Sequence, residues 1–235
     1  NFVVEAIPEN WATLYPNSNF LKVVGTLEAL QRLAERHRDE FLIPIIGITG
    51  SNGKTMVKEW LYQLLSPEMI VTRSPRSYNS QIGVPLSVWL LNENTQIGVF
   101  EAGISKPVEM LALRDIIQPT IGVFTSLGTA HQENFPSLEA KCLEKLKLFH
   151  DTQAIVYSED DQVLNDCISA KNYKGECLNW SAKDVHAAFF IKSIEKKDIE
   201  TTVSYVWKEK VEGQYKLPFI DDASVENSIT CAVVS

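Results

Sequence analysis

The chain has 235 residues, 45% of them hydrophobic, and a formal net charge of −8. That is enough apolar content for one large domain, or for one domain and a piece of another. The acidic balance and the lack of any Lys/Arg block exclude nucleic acid and anionic membrane surfaces as expected partners, and no run approaches the roughly 18 apolar residues of a membrane helix.

Residues 10–19 are rich in Asn, Pro and Ser and read as loop. Thr26 then reads as the cap of a helix that carries Leu27, Leu30, Leu33 and Ala34 on one face and ends in Arg36-His37-Arg38. That helix has no evident packing partner of its own. Residues 1–40 are therefore expected to be a linker or the tail of a preceding N-terminal domain, with a central domain at 41–235. From Phe41 onward, strands (43–48, 69–73, 97–101, 120–125, 153–157 and 176–179) alternate with helices (54–65, 84–91, 107–116, 138–149 and 160–170). This predicts an α/β fold: a mostly parallel sheet with helices on both faces. Residues 185–217 alternate polar and apolar, as in Thr201 to Trp207, and predict a small antiparallel β meander. A last helix is expected from Ser224 to about the end, in an apolar stretch that implies a continuation. Four cysteines, Cys142, Cys167, Cys177 and Cys231, have neither a C-x-x-C pair nor metal-ligand spacing. Reduced thiols in a cytoplasmic protein are the expectation.

The stretch Gly47-Ile48-Thr49-Gly50-Ser51-Asn52-Gly53-Lys54-Thr55 lies between the buried-strand run 41–48 and a helix with Val57, Trp60, Leu61, Leu64 and Leu65 at helical spacing. Strand, glycine loop and helix in that order aim free N–H groups and the positive end of a helix dipole at one point, a site for a polyphosphate. Gly50 and Gly53 let the backbone approach closely. Lys54 supplies a point charge for the terminal phosphates and Thr55 a hydroxyl for Mg²⁺. Ile48 stands where the common Gly-x4-Gly-Lys-Thr pattern has glycine. The alternative is a glycine-rich turn with a chance Lys-Thr.

Glu101 ends the apolar strand Ile97 to Phe100, at the carboxyl end where parallel sheets gather ligands. It is placed to hold Mg²⁺, or it is a solvated strand-end acid. His131 follows another strand and the turn 126–130, where an imidazole could bind a metal or orient a phosphate. Lys145, beside the apolar stripe Leu138, Cys142, Leu146 and Phe149, reads on its own as a flank lysine. Ser137 reads as that helix's cap. Asn79 and Ser80 sit in a loop punctuated by Gly83 and Pro85, placed either to touch a substrate or to shape the turn. Asn227 is equally open. No Ser-His-Asp order, G-x-S-x-G elbow or H-E-x-x-H motif supports a hydrolase or zinc reading.

Taken together, the loop 48–55, Asn79-Ser80-Gln81-Ile82-Gly83-Val84-Pro85, Val99-Phe100-Glu101-Ala102-Gly103, and His131-Gln132-Glu133-Asn134-Phe135-Pro136-Ser137 followed by Lys145 resemble the Mur ligases. These are ATP-dependent amide-forming enzymes of peptidoglycan synthesis. The resemblance covers about residues 20–235 and is strongest to the branch that joins D-alanyl-D-alanine to UDP-N-acetylmuramoyl-tripeptide. Within that branch, Ser74 to Gln81 resembles the Bacteroidetes-type fusions of ligase and alanine racemase. It implies that Gly50, Ser51, Asn52, Gly53 and Lys54 hold the phosphates of ATP. Thr55 and Glu101 would hold one Mg²⁺, His131 and Lys145 a second, with Lys145 carbamylated. Asn227 would contact adenine. It also implies that Asn79 and Ser80 serve the substrate and that Lys54, His131 and Lys145 are the catalytic set.

Departures from the family pattern are visible: Thr125-Ser126-Leu127-Gly128 replaces Thr-Asn-x-Gly, and Ala223-Ser224 replaces His-Asn. The family has a third, C-terminal ligase domain that this chain is expected to lack. A monomer that binds Mg·ATP weakly and makes no product by itself is the expectation. A folylpolyglutamate synthase-like ligase, a catalytically silent nucleotide-binding module and a small-molecule kinase are the alternatives.

Overall fold

The computed structural model describes residues 1–130, 132–171 and 173–235. In chain order the elements are β1 (Phe2–Val4), α1 (Trp11–Leu14), β2 (Phe20–Lys22), α2 (Thr26–Arg38), β3 (Ile45–Thr49), α3 (Lys54–Leu65), β4 (Val71–Arg73), α4 (Gly83–Val88), β5 (Ile97–Glu101) and α5 (Glu109–Ile117). There follow β6 (Ile121–Phe124), α6 (Leu138–Lys145), β7 (Ala154–Ser158), α7 (Gln162–Ala170), β8 (Glu176–Ser181), β9 (Phe189–Lys197), β10 (Glu200–Trp207), β11 (Val211–Leu217) and α8 (Asp222–Val234).

Among the described residues one nine-stranded sheet runs in the order β11-β10-β9-β8-β7-β6-β3-β5-β4. Neighbours from β4 through β9 pair in parallel, while β9, β10 and β11 pair antiparallel. The α/β reading and the meander are both present. The meander is not a separate body, because β9 joins β8 through Trp180↔Phe189 and Ser181↔Phe190 and so extends the same sheet. The period-2 alternation of each strand divides the core. Ile45, Phe100, Phe124 and Ile155 face α4, α5, α6 and α7. Ile46, Ile48, Val99, Val123 and Val156 face α3 and α8. Burial on both faces explains why these strands read as continuous apolar runs.

Expectations for two helices change. The helix expected at 138–149 is α-helical to Lys145 and then tightens into a 3₁₀ turn, Leu146–Phe149, which brings Leu146, Leu148 and Phe149 all into the core. Helix α2 does have a packing partner. Its inward stripe is rotated from the expected one: Leu27 and Leu33 are exposed, while Ala34 and Arg38 are buried. The Arg38 guanidinium donates to the carbonyls of Phe41 (2.5 Å), Ile117 (3.0 Å) and Gln118 (3.2 Å), closing the C-terminus of α5, where a cation meets the helix dipole. His37 stacks on Trp89 at 4.4 Å. Thr26 is the first helical residue and not the cap. The Glu5 carboxylate accepts from both its N–H (2.9 Å) and its hydroxyl (3.0 Å), so the helix start is held from a distance in sequence.

Candidate nucleotide site

The loop after β3 forms because Gly50 and Gly53 take backbone angles closed to most residues, φ +143° and +82°. Their hydrogens also make room for neighbours. A Cβ on Gly50 would crowd Thr125 Oγ1 and the Ser126 amide, and one on Gly53 would overlap the Asn227 side chain. Asn227 on α8 therefore lies directly over the loop. The segment 125–128, after β6, is stitched to the loop. Ser51 N–H donates to Ser126 O at 2.7 Å, Gly128 N–H donates to Ser51 Oγ at 2.9 Å, and Thr125 Oγ1 donates to Asn52 O at 2.5 Å. Helix α3 starts at Lys54, so its unpaired first amides and its positive dipole end face the loop's concavity.

Glu101 is the last residue of β5, in register with Ile48, and is fully buried. Its Oε2 accepts from Thr55 Oγ1 at 3.1 Å and from Asn79 Nδ2 at 3.3 Å. Among the described residues its Oε1 takes no hydrogen bond, and its charge is met by the Lys58 ammonium 3.0 Å away. These groups fit a small hard cation. A Thr55 hydroxyl that donates to a carboxylate keeps both lone pairs for a metal, and the donors are oxygen only. The described residues contain no cluster of three or more His, Cys, Asp or Glu able to cage a metal. One or two protein oxygens plus phosphate oxygens is the arrangement Mg²⁺ takes, since it keeps several waters.

Three lysines converge on the other side. Lys54 Nζ donates to Gly50 O (2.9 Å) and Ser51 O (3.2 Å). Lys145, almost fully buried, donates to the same Gly50 O at 3.0 Å. Lys141, one turn before it and equally buried, donates to Gly128 O at 2.5 Å and to Ala130 O. Among the described residues none of the three forms an ion pair. Burial, then the charges of Lys54 and Lys141, push the Lys145 pKa down to about 7. Burial lowers Lys54 and Lys141 too, with Glu101 partly offsetting the effect at Lys54.

The structure thus brings together Gly50, Ser51, Asn52, Gly53, Lys54, Thr55, Glu101, Lys145 and Asn227. A cleft of about 290 Å³ opens beside them, lined by Gly50, Lys54, Asn79, Ser80, Ser105 and Lys145 among others. Asn79 spends its side-chain amide on Glu101, and Ser80 Oγ accepts from Gly83 N–H at 3.2 Å, shaping the entry to α4. His131 lies outside the described residues. Lys58 and Lys141 went unnoticed in the sequence. The available signal was spacing: each lies four residues from a lysine already singled out, on the same helix face.

The model of the Mur ligase middle domain matches residues 48–235. The UDP-N-acetylmuramoyl-tripeptide–D-alanyl-D-alanine ligase of Bacillus subtilis is 31% identical over 201 residues, 80% of this chain and 42% of that protein. MurF from Acinetobacter baumannii superposes with a TM-score of 0.87 at 22% identity, over 99% of this chain and 50% of that one. MurF from Thermotoga maritima, solved in complex with ADP, gives 0.84 at 24% identity, over 99% and 52%. The chain spans about half the length of these relatives. By the extent of the domain match, the chain belongs to the Mur ligase family.

Proposed function

We propose that this chain is the ATP-binding part of a ligase that joins D-alanyl-D-alanine to UDP-N-acetylmuramoyl-tripeptide. One observation carries the reading: Lys54 and Lys145 both donate to Gly50 O and line the cleft beside it, while the Thr55–Glu101 pair stands at the start of the helix that follows the same loop. The relatives' names supply the substrates. In the reaction, the terminal carboxylate of the tripeptide attacks the γ-phosphorus of ATP, breaking the bond to the β-phosphate oxygen and leaving an acyl phosphate and ADP. The amine of D-alanyl-D-alanine then attacks the acyl carbon, loses a proton and expels phosphate.

Lys54 and the loop amides Gly50 to Thr55 hold the polyphosphate, and their charge is largest in effect on the transferring group. Thr55 and Glu101 would hold Mg²⁺, which when bound spreads the charge of the terminal phosphates. A second ion would fall to His131 and to Lys145 as a carbamate. Carbamylation joins the free amine nitrogen to CO₂ and releases one proton. A pKa pushed down to about 7 leaves about half of that amine free at neutrality, and the product turns a crowded cation into an oxygen ligand. Asn227, whose side chain lies over Gly53, would contact adenine, and Asn79 and Ser80, which line the cleft, would serve the substrate. No helix of the described residues is long and apolar enough to cross a membrane. A cytoplasmic monomer, with neither nucleic acid nor membrane as partner, completes the proposal.

The test is phosphate release with Mg·ATP, UDP-N-acetylmuramoyl-tripeptide and D-alanyl-D-alanine, leaving out one at a time, on the protein that carries this chain. Release that needs both acceptor substrates supports the reading. Release with folate and glutamate instead would replace it with the folylpolyglutamate reaction. The isolated 235-residue chain is expected to bind Mg·ATP and release no phosphate.

A further inference from the structure

Lys58 is the one fully buried lysine of α3, and the mechanism above does not use it. Its ammonium lies 3.0 Å from Glu101 Oε1 and 3.0 Å from Glu59 Oε1, and it donates to Arg76 O. Glu59 is held in turn by Arg73, 3.0 Å away, whose guanidinium lies 3.6 Å above the Tyr62 ring. Lys58 is thus fixed from several sides and cannot leave Glu101 without breaking a network. The consequence falls on the carboxylate. Oε2 faces Thr55 and the phosphate loop, while Oε1 is covered by a cation.

We infer that Lys58 is a positioning residue that makes Glu101 a one-oxygen partner for the metal and thereby selects Mg²⁺ over Ca²⁺. Ca²⁺ takes six to eight oxygens and readily accepts both oxygens of one carboxylate. Mg²⁺ takes six at shorter range and favours a single carboxylate oxygen with waters. A cation fixed on Oε1 closes the two-oxygen mode, which costs Ca²⁺ a ligand and Mg²⁺ none. The inference rests on the nucleotide-site reading.

The test is calorimetric ATP binding by the chain in Mg²⁺ and in Ca²⁺, for the unmodified protein and Lys58→Met. The expected result is tighter binding with Mg²⁺ in the unmodified protein and a Mg²⁺-to-Ca²⁺ preference that falls at least about tenfold in the variant, the equivalent of roughly 1.4 kcal/mol. A purely structural lysine would weaken both titrations in parallel. An unchanged preference in a folded Lys58→Met therefore overturns the role of Lys58. Should the variant fail to fold, the unmodified protein still decides: equal affinity with the two ions overturns the inference. No ATP binding with either ion overturns the nucleotide site itself, and this inference with it.

Discussion

Replacing Gly53 by alanine probes the candidate nucleotide site where the loop meets Asn227. Gly53 holds φ +82°, and a Cβ there would stand 3.1 Å from Asn227 Cγ and nearer still to Oδ1. The left-handed conformation costs an L-residue roughly 1–2 kcal/mol, which in a chain of this length lowers the melting temperature by roughly 2–8 °C. The overlap acts differently. Asn227 meets it with the end of a half-buried side chain, so the amide swings aside and the backbone stays. If that amide reads adenine, the swing removes about one hydrogen bond, on the order of 1 kcal/mol or about fivefold in affinity. Tripolyphosphate has the phosphates without the base, so the ratio of ATP to tripolyphosphate affinity separates the base contact from loop strain. Calorimetry with Mg²⁺ should show both ligands weakened in Gly53→Ala, ATP about fivefold more. In an Asn227→Ala background the extra loss should vanish, because the contact is already gone. A ratio unchanged by either single substitution refutes the reasoning and leaves Asn227 as packing on the loop.

Lys54→Met should weaken ATP binding about 10- to 100-fold, the worth of a charged hydrogen bond of roughly 1.5–3 kcal/mol. The melting temperature should change little. Lys145, with its pKa pushed down to about 7, should take up ¹³C-labelled CO₂ at a rate that follows its free amine. At fixed dissolved CO₂ that rate rises roughly tenfold from pH 6 to 8 and then levels, whereas an ordinary lysine near 10.4 would rise roughly a hundredfold and keep rising. NMR of the carbamate carbon reads this, and Lys145→Gln should abolish the signal. By the same shift, the unfolded chain binds this proton between about pH 7 and 10 while the folded chain does not. Stability from this group therefore grows with pH across that window and is lost as pH falls through 7. Arg38→Met should lower stability by about 2–3 kcal/mol, read as a shift in the urea midpoint, because three carbonyls lose a charged donor. An unmoved midpoint would mean that α2 is not fastened to the rest of the chain.

How far the sequence could be read depended on whether a residue's role was local. The strand–loop–helix at 45–65 was legible because strand, glycines, Lys-Thr and amphipathic helix are contiguous, and the helix runs from Lys54 to Leu65 as its apolar spacing requires. The parallel strands were legible because burial on both faces leaves apolar runs. What holds the start of α2 was not: its first amide is bound by Glu5, 21 residues away. Nor was its inward face, because the stripe with more leucines is the exposed one. What buries the other stripe is Arg38, whose partners lie 79 and 80 residues on, at the end of α5.

The buried lysines show why the rest of the site stayed hidden. A lysine is expected at the surface, since burying an uncompensated ammonium is costly. Lys58, Lys141 and Lys145 each meet that cost in a way no local pattern announces. Lys58 has two carboxylates, one of them on a neighbouring strand. Lys141 has two carbonyls of the segment that also ties down Ser51. Lys145 has a loop carbonyl 95 residues away and sheds charge as its pKa falls. The i, i+4 repeats Lys54/Lys58 and Lys141/Lys145 did carry a trace of this, because each repeat aims two cations at one side of a helix. That trace becomes meaningful only once the sheet has brought the starts of α3, β5 and the 125–130 segment together. Two lysines, Lys54 and Lys141, and a third, Lys145, that titrates near 7 are tolerable around one loop where the fold expects negative charge to arrive, and that is the electrostatic argument for a polyphosphate at Gly50.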